Sequence, residues 1–240
     1  MLSIVLPSYN CSKVLSEQLP AFIDFLVSQK FDYEIIIVDD GSTDRAMTKN
    51  IAEKYNCIFL QNEKNLGKGA AVRKGILNSK GDFIIFTDAD IPFQFQSFQK
   101  FLYYLDFKEF DIVVGDRTLP ESSYFTKISK TRKIGSDIFS FIVGRFITGG
   151  WFDTQCGMKG FRRNTALDIF SVNRINGFAF DVELLYIALK RNFDIKRLPV
   201  NLRCNETSSV KVLKHGFLMV IDLFKIIYNF YSGKYKKVRT

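Results

Sequence analysis

The sequence is short of the residues on which several kinds of chemistry depend. It has one histidine, His215, which excludes His-rich metal sites and leaves a histidine-dependent hydrolase a single candidate base. The four cysteines, Cys11, Cys57, Cys156 and Cys204, are far apart and form no CxxC pair. That spacing argues against a zinc ribbon or a dithiol centre and for free thiols in a reducing compartment. No stretch reaches the ~20 uninterrupted apolar residues of a spanning helix. The opening MLSIVLPSYN lacks the basic and long apolar regions of a signal peptide and reads as a strand. Internal repeats, low-complexity tracts and recognisable linkers are also missing.

What is present suits a folded α/β protein. The 240 residues are 47% hydrophobic and 25% charged, enough to bury a core without staples, as one large domain or one domain with a short appendage. Lysine and arginine number 34 against 25 acidic residues, a net charge of +9 that implies anionic partners without choosing among phosphates, nucleic acid and acidic lipid. Scattered basic residues and the lack of any RNA- or DNA-binding signature argue against a nucleic-acid-binding module. The 25 phenylalanines are unusually many.

The first half alternates short apolar runs with helical patterns. Strands are expected at Ser3–Pro7, Glu34–Asp39, Cys57–Gln61, Phe83–Asp88 and Asp111–Gly115, as near-continuous Ile/Val/Phe runs typical of a parallel sheet covered on both faces. Between them, Leu19, Phe22, Ile23 and Leu26 form one helical stripe, Met47, Ile51 and Tyr55 a second, and Gly67–Asn78 a third helix. This rhythm predicts a doubly wound, Rossmann-like α/β fold. Farther on, Tyr124–Ile147 and Phe180–Arg191 read as helices, Gly149–Lys159 as a polar glycine-containing patch and Asp194–Pro199 as a strand.

Three constellations sit at strand ends, where open α/β sheets bind ligands. Asp39-Asp40-Gly41-Ser42-Thr43-Asp44 places two carboxylates at a strand tip, and Gly41 permits a tight turn. Ordinary turn chemistry explains it equally well, with Ser42 or Asp44 capping the next helix. Asn65-Leu66-Gly67-Lys68-Gly69 lacks Walker A spacing, which disfavours a P-loop NTPase. Its glycines can bring N–H groups close to phosphate, with Lys68 or Arg73 facing a diphosphate, or simply start a helix. Asp88-Ala89-Asp90 ends an apolar strand. Alternate residues of an extended segment point the same way, so Asp88 and Asp90 can share one hard cation, Mg²⁺ or Mn²⁺.

In this order, Pro7-Ser8-Tyr9-Asn10, the Asp39–Ser42 segment, the Asn65–Gly69 segment and Asp88–Asp90 resemble the family 2 glycosyltransferases with a GT-A fold. The later Asp153-Thr154-Gln155-Cys156-Gly157-Met158-Lys159 and Phe180-Asp181-Val182-Glu183 are similar to the polyprenyl-phosphate sugar synthases, nearest the dolichyl-phosphate β-glucosyltransferase branch, with mannosyl synthases as neighbours. The resemblance covers residues 2–212 and implies a mixed, mostly parallel sheet, with a donor half to about residue 117 and an acceptor half over 118–212. It implies that Pro7, Tyr9, Asp39 and Asp40 hold the base and ribose of a nucleotide sugar, with Lys68 and Gly69 near the donor. Asp88 would contact ribose or metal, and Asp90 would be the principal metal ligand. Arg117 and Arg132 would grip the acceptor phosphate and the leaving diphosphate, and Asp153, Gln155 and Asp181 would line the sugar pocket. Arg203, with Ser209 and Lys211, resembles a late basic loop that closes over donor phosphates. Mannosyl synthases often place Gln two residues after the second Asp. Here that position is Pro92, with Gln94 the nearby substitute.

The implied reaction is an inverting, metal-dependent transfer of a hexose, glucose or mannose, from a nucleotide sugar such as UDP-glucose to a polyprenyl phosphate. Such an acceptor is already an anion and needs no strong base. A same-fold enzyme acting on a saccharide hydroxyl would need a carboxylate base, and Asp153 and Asp181 are the candidates. Over residues 213–240, His215–Tyr231 reads as an apolar helix with a polar stripe of Asp222, Lys225 and Asn229. Lys234, Lys236, Lys237 and Arg239 follow it. This pattern, with the apolar stretch Ile138–Phe152, suggests a peripheral contact with the cytoplasmic face of a membrane, or burial in the core or a dimer interface. His215 reads as a helix-start or interfacial residue.

Overall fold

The computed structural model describes residues 1–123, 139–145, 147–151, 153–203 and 212–236, with 212–217 as backbone only. Strands β1 (Leu2–Ser8), β2 (Tyr33–Asp40), β3 (Ile58–Asn62) and β4 (Phe83–Thr87) alternate with helices α1 (Ser12–Ser28), α2 (Arg45–Lys54) and α3 (Lys68–Leu77). Then come α4 (Gln96–Asp106), β5 (Ile112–Asp116), β6 (Met158–Arg162), α5 (Arg163–Phe170), α6 (Phe180–Lys190), β7 (Ile195–Pro199) and α7 (Val212–Tyr231). The seven strands form one sheet in the order β3-β2-β1-β4-β6-β5-β7. Pairing is parallel except for β6, which runs antiparallel to both neighbours, β4 and β5.

Strand periodicity explains the two core layers. Leu2, Ile4 and Leu6 of β1 point to one face and pack with Leu15, Leu19, Phe22 and Leu26 of α1 and Phe98, Phe101 and Leu105 of α4. Val5 points to the other face with Ile36, Val38 and Phe86, against α3, α5 and α6. Many phenylalanines find their place here. Phe22 lies 4.7 Å from Phe98 and 5.2 Å from Phe95 between ring centroids, in tilted contacts.

All six expected strands form, with ends shifted by at most a residue or two. Strand β6 was not foreseen, because Met-Lys-Gly-Phe-Arg reads as polar. It is buried nonetheless, and Lys159 within it is wholly inaccessible. The α2 stripe is also corrected. Thr48 and Ala52 face the core, whereas Met47 is 63% exposed and Ile51 and Tyr55 are half-buried. Of the expected helix Tyr124–Ile147, residues 139–145 are helical, and 124–138 and 146 lie outside the described residues.

Helix α7 differs from the expected pattern too. Leu223, Ile226 and Asn229 form its buried edge, and Phe230 meets Tyr186 of α6 edge-on at 5.4 Å. Asn229 is therefore no part of a solvent-facing polar stripe. The outward face is apolar: Ile221, Phe224, Tyr228 and Tyr231. Among the described residues, no helix is long and apolar enough to cross a membrane.

The corrected face of α2 is testable by denaturation. Ala52→Leu should overpack the core and cost about 1–3 kcal/mol. Met47→Ala should stay within about 0.5 kcal/mol of the parent. The reverse ranking would restore the original stripe.

Candidate active site

Parallel pairing of β1, β2 and β4 brings their carboxyl ends to one edge of the sheet. Asp40, ending β2, is buried and accepts three hydrogen bonds: from Asn62 Nδ2 at 2.7 Å, Leu66 N at 3.0 Å and Gly67 N at 2.7 Å. Its carboxylate thus holds the loop before α3, and is engaged by protein rather than open to a ribose as expected. Asp39 is fully buried. Its Oδ2 accepts from Ser42 N at 3.2 Å and from Arg45 Nε at 3.2 Å, while Oδ1 has no partner among the described residues. The next two strands end similarly, with the buried Ser8 Oγ of β1 and Thr87 Oγ1 of β4 also without partners. Three adjacent strand tips therefore carry unsatisfied buried polar atoms, each costing about 1–3 kcal/mol while unmade. Tyr9 is exposed and Pro7 half-buried beside them.

The tip loops are tied to one another. Asn10 Oδ1 accepts from Thr43 N at 2.9 Å, and Asn10 N donates to Ser42 Oγ at 3.0 Å. Asp44 does not cap α2. Its Oδ2 accepts from Ser12 N at 2.9 Å, which satisfies a free N–H at the start of α1.

The glycines of the second constellation allow close packing against the loop that follows α5. Gly67 has φ +108°, and a side chain there would strike the Asn176 carbonyl. One on Gly69, which is buried, would strike the Ile175 carbonyl and the Phe180 ring. Ala70 N donates to Asn176 O at 3.2 Å. Arg73, expected to face a diphosphate, instead donates to Asn173 O at 3.1 Å and to Asn176 Oδ1. Lys68 is the residue that reaches the site, in an ion pair with Asp88. Asp88 and Asp90 are both half-buried. Gly157 leaves the room that the Asp88 carboxylate occupies, since a Cβ there would collide with it.

Two further carboxylates are committed to cations. Arg117 grips Asp153 through Nε to Oδ2 at 2.9 Å, Nη2 to Oδ1 at 2.7 Å and its own backbone N to Oδ2 at 2.6 Å. Burial by itself would raise the Asp153 carboxyl, but the hydrogen bonds and charge of Arg117 outweigh it and hold the group below the usual range. Arg117 is therefore engaged by a carboxylate, and Asp153 is poorly placed to accept a proton. Asp181 is buried 2.6 Å from Lys159 Nζ, which also donates to Cys156 O at 2.8 Å. Burial raises the Asp181 carboxyl and Lys159 partly restores it. Asp181 is buried, with its carboxylate engaged by Lys159. Burial also pushes the Cys156 thiol up to about 12. Gln155 Nε2 donates to Phe178 O at 3.3 Å and lies 4.0 Å from Met219 Sδ, so α7 flanks this corner.

Arg203 lies over the Phe95 ring at 4.3 Å and donates to Gln18 of α1. Its backbone N bonds Pro92 O at 2.7 Å, and the neighbouring Leu202 bridges Phe93, which pins it there. Gln94 is exposed, its N–H bonded to Asn201 O at 2.9 Å. Arg132, Ser209 and Lys211 lie outside the described residues. Sequence reasoning missed Arg45, Asn62, Lys159, Glu183 and Tyr235 as organising groups. A lysine inside Cys-Gly-Met-Lys-Gly-Phe and a glutamate in the apolar Phe180–Ala188 run were the available signals.

The Arg117–Asp153 pair generates a pH-dependent prediction. A carboxyl held low in the folded state stabilises above its unfolded value of about 4 and loses that contribution as pH falls through the folded value. Arg117→Met, which strands a buried carboxylate, should cost about 3–5 kcal/mol at pH 7. In urea titrations the gap from the parent should narrow below about pH 4. A gap independent of pH would show that Asp153 is not the group stabilised.

Comparison with known proteins agrees with this architecture. Residues 3–170 match the family described as Glycosyl transferase family 2. The dolichyl-phosphate beta-glucosyltransferase of Dictyostelium discoideum is 35% identical, covering 98% of this chain and 76% of that protein. The Homo sapiens and Saccharomyces cerevisiae proteins of the same name are 33% and 30% identical, covering 100% and 98% of this chain and 78% and 76% of their own. A crystal structure of glucosyl-3-phosphoglycerate synthase from Mycobacterium tuberculosis with Mn²⁺, UDP and phosphoglyceric acid shares the fold. Its TM-score is 0.70 at 18% identity, over 94% of this chain and 78% of that one. The mixed GT-A sheet, the strand-tip carboxylates and the matched family agree, and the chain belongs to the family 2 glycosyltransferases.

Proposed function

We propose that this glycosyltransferase moves a hexosyl group, glucose in the names of its relatives, from a nucleotide sugar to dolichyl or a related polyprenyl phosphate. The observation that carries the reading is the row of unpartnered buried atoms, Asp39 Oδ1, Ser8 Oγ and Thr87 Oγ1, beside Asp88 and Asp90. A base and ribose supply the donors and acceptors that those atoms lack.

The residues fit a divalent cation. Asp88 and Asp90 offer two carboxylates at the end of an apolar strand, and Gly157, lacking a side chain, admits the Asp88 carboxylate beside it. Among the described residues no cluster of three acidic, His or Cys side chains forms a complete site. Diphosphate oxygens would complete the shell, as Mg²⁺ and Mn²⁺ prefer. When bound, such an ion supplies Lewis-acid neutralisation of the leaving diphosphate. Lys68, beside Asp88, adds a second positive charge there. Arg132 remains the proposed ligand of the acceptor phosphate.

In the reaction, a phosphate oxygen of the acceptor attacks the anomeric carbon in line. The new carbon–oxygen bond forms as the bond to the nucleoside diphosphate breaks, and the configuration inverts. A phosphate anion needs no base. The saccharide-hydroxyl reading does, and its two candidates are engaged, Asp153 by Arg117 and Asp181 by Lys159. That difference favours the phosphate acceptor.

The outward face of α7 favours a lipid surface. Phe224 is 70% and Tyr231 81% exposed, Tyr228 lies between them and Ile221 a turn before Phe224, and the exposed Lys225, Lys234 and Lys236 stand nearby. Apolar rings with flanking ammonium groups match an anionic headgroup plane. Lys237 and Arg239 lie outside the described residues. A peripheral position at the cytoplasmic face brings the acceptor's phosphate to the enzyme while its tail stays in the bilayer.

Two measurements test these readings. With UDP-glucose as the first donor tried and polyprenyl phosphate as acceptor, Asp90→Asn or excess EDTA should lower kcat at least about a hundredfold while the fold persists. Undiminished turnover in EDTA would remove the cation. Separately, the protein should co-sediment with anionic vesicles at low salt and less at high salt. The double change Phe224→Ser and Tyr231→Ser should weaken sedimentation and raise KM for the lipid, with KM for a short soluble acceptor unchanged. A parent protein that ignores such vesicles would assign this face to a protein contact instead.

A further inference from the structure

Loop 173–177 joins α5 to α6 and forms the wall on which the Gly67–Ala70 turn rests. The Asn176 carbonyl fills the space left by Gly67, the Ile175 carbonyl that left by Gly69, and Ala70 N donates to Asn176 O. The position of Lys68, within that turn and paired with Asp88, depends on where this loop stands.

The loop is held from below by Glu183 of α6, which is wholly buried. Its carboxylate accepts from Arg174 N at 2.9 and 3.0 Å and from Ile175 N at 2.7 Å. The remaining donor is the Tyr235 hydroxyl, at 2.6 Å. Tyr235 follows the end of α7, where Gly233, at φ +75°, turns the chain back toward the core. Arg191 Nη2 bonds the Tyr235 carbonyl at 2.7 Å, Asn229 Nδ2 faces its hydroxyl at 3.4 Å, and the ring is buried. A carboxylate so deep in the protein is costly unless every oxygen is engaged. Three donors from two distant segments engage it here, through four hydrogen bonds.

We infer that Glu183 and Tyr235 are positioning residues for the donor site: through loop 173–177 they fix the Gly67–Ala70 turn and hence Lys68 beside Asp88. Neither touches the reacting atoms. The inference rests on the reading of that turn as part of the nucleotide-sugar site. It also ties α7, whose outer face is proposed to meet lipid, to the donor loop through one buried carboxylate.

Tyr235→Phe removes only the hydroxyl and keeps the buried ring. In the full chain it should retain the parent's circular dichroism. Hydrogen exchange in peptides covering 66–70 and 173–177 should speed up about tenfold, the effect of losing one bond to a carboxylate. The KM for nucleotide sugar and the dissociation constant for UDP should rise at least about fivefold, with acceptor KM within about twofold of the parent. Glu183→Gln, which offers one acceptor oxygen in place of two, should do the same and serves if Tyr235→Phe fails to fold. A control at a distance, Leu26→Ala, lowers stability through the opposite core layer and should leave exchange at 66–70 and donor affinity unchanged.

Unchanged exchange at 173–177 in Tyr235→Phe would overturn the inference. So would faster exchange there with parent-like UDP binding, which would make the pair mere core glue. If the parent itself binds no UDP, the donor reading fails on its own, and exchange at 66–70 still decides whether Glu183 governs the turn.

Discussion

Backbone N–H groups captured by buried carboxylates hold the working edge of this protein together. Asp40 takes the N–H groups of Leu66 and Gly67, and Glu183 takes those of Arg174 and Ile175. Charge-assisted bonds of this kind are stronger than neutral ones, and a carboxylate can receive several at once. Irregular loops have no ladder to satisfy their amides, so such acceptors stand in for secondary structure. The two clamped loops meet face to face at Gly67 and Gly69, where carbonyls of one fill the space beside the other. Lys68 leaves that junction toward Asp88.

Ion pairing then decides which acidic groups remain available for chemistry. Arg117 and Lys159 each neutralise a carboxylate in the acceptor half, Asp153 and Asp181. A carboxylate in a bidentate arginine pair resists protonation, and one buried under a lysine has no route to a substrate hydroxyl. Asp88 and Asp90, half-buried at the strand end with Lys68 paired to Asp88, are suited to a cation rather than to proton transfer. An acceptor that is already ionised is the natural partner for such a site.

Helix α7 joins these two themes to the surface. Its inner edge, Leu223, Ile226 and Asn229, belongs to the core that also contains Tyr235 and α6. Its outer face keeps large apolar side chains exposed, at an energetic cost in water that a lipid or protein surface would relieve. Met219, near its start, lies close to Gln155 beside the acceptor motif.

Much of the scaffold was legible in the residues alone. The near-continuous apolar runs announced the parallel strands, and Asp39-Asp40 and Asp88-Ala89-Asp90 marked the strand ends where the site lies, because local periodicity and turn chemistry are written between neighbours in the chain. The resemblance of the motifs in order supplied the fold and the family. The fate of each side chain was not legible in that way. Arg117 and Asp153 are 36 residues apart, Lys159 and Asp181 are 22 apart, and Glu183 and Tyr235 are 52 apart. Burial and charge matching are settled only when distant segments pack, so Arg117 and Arg73 became struts, Gly67 and Gly69 became packing gaps, and the polar run around Lys159 became a buried strand. The sequence by itself determined where the site would be. Tertiary packing decided which of its charges are already taken and which are left for a substrate.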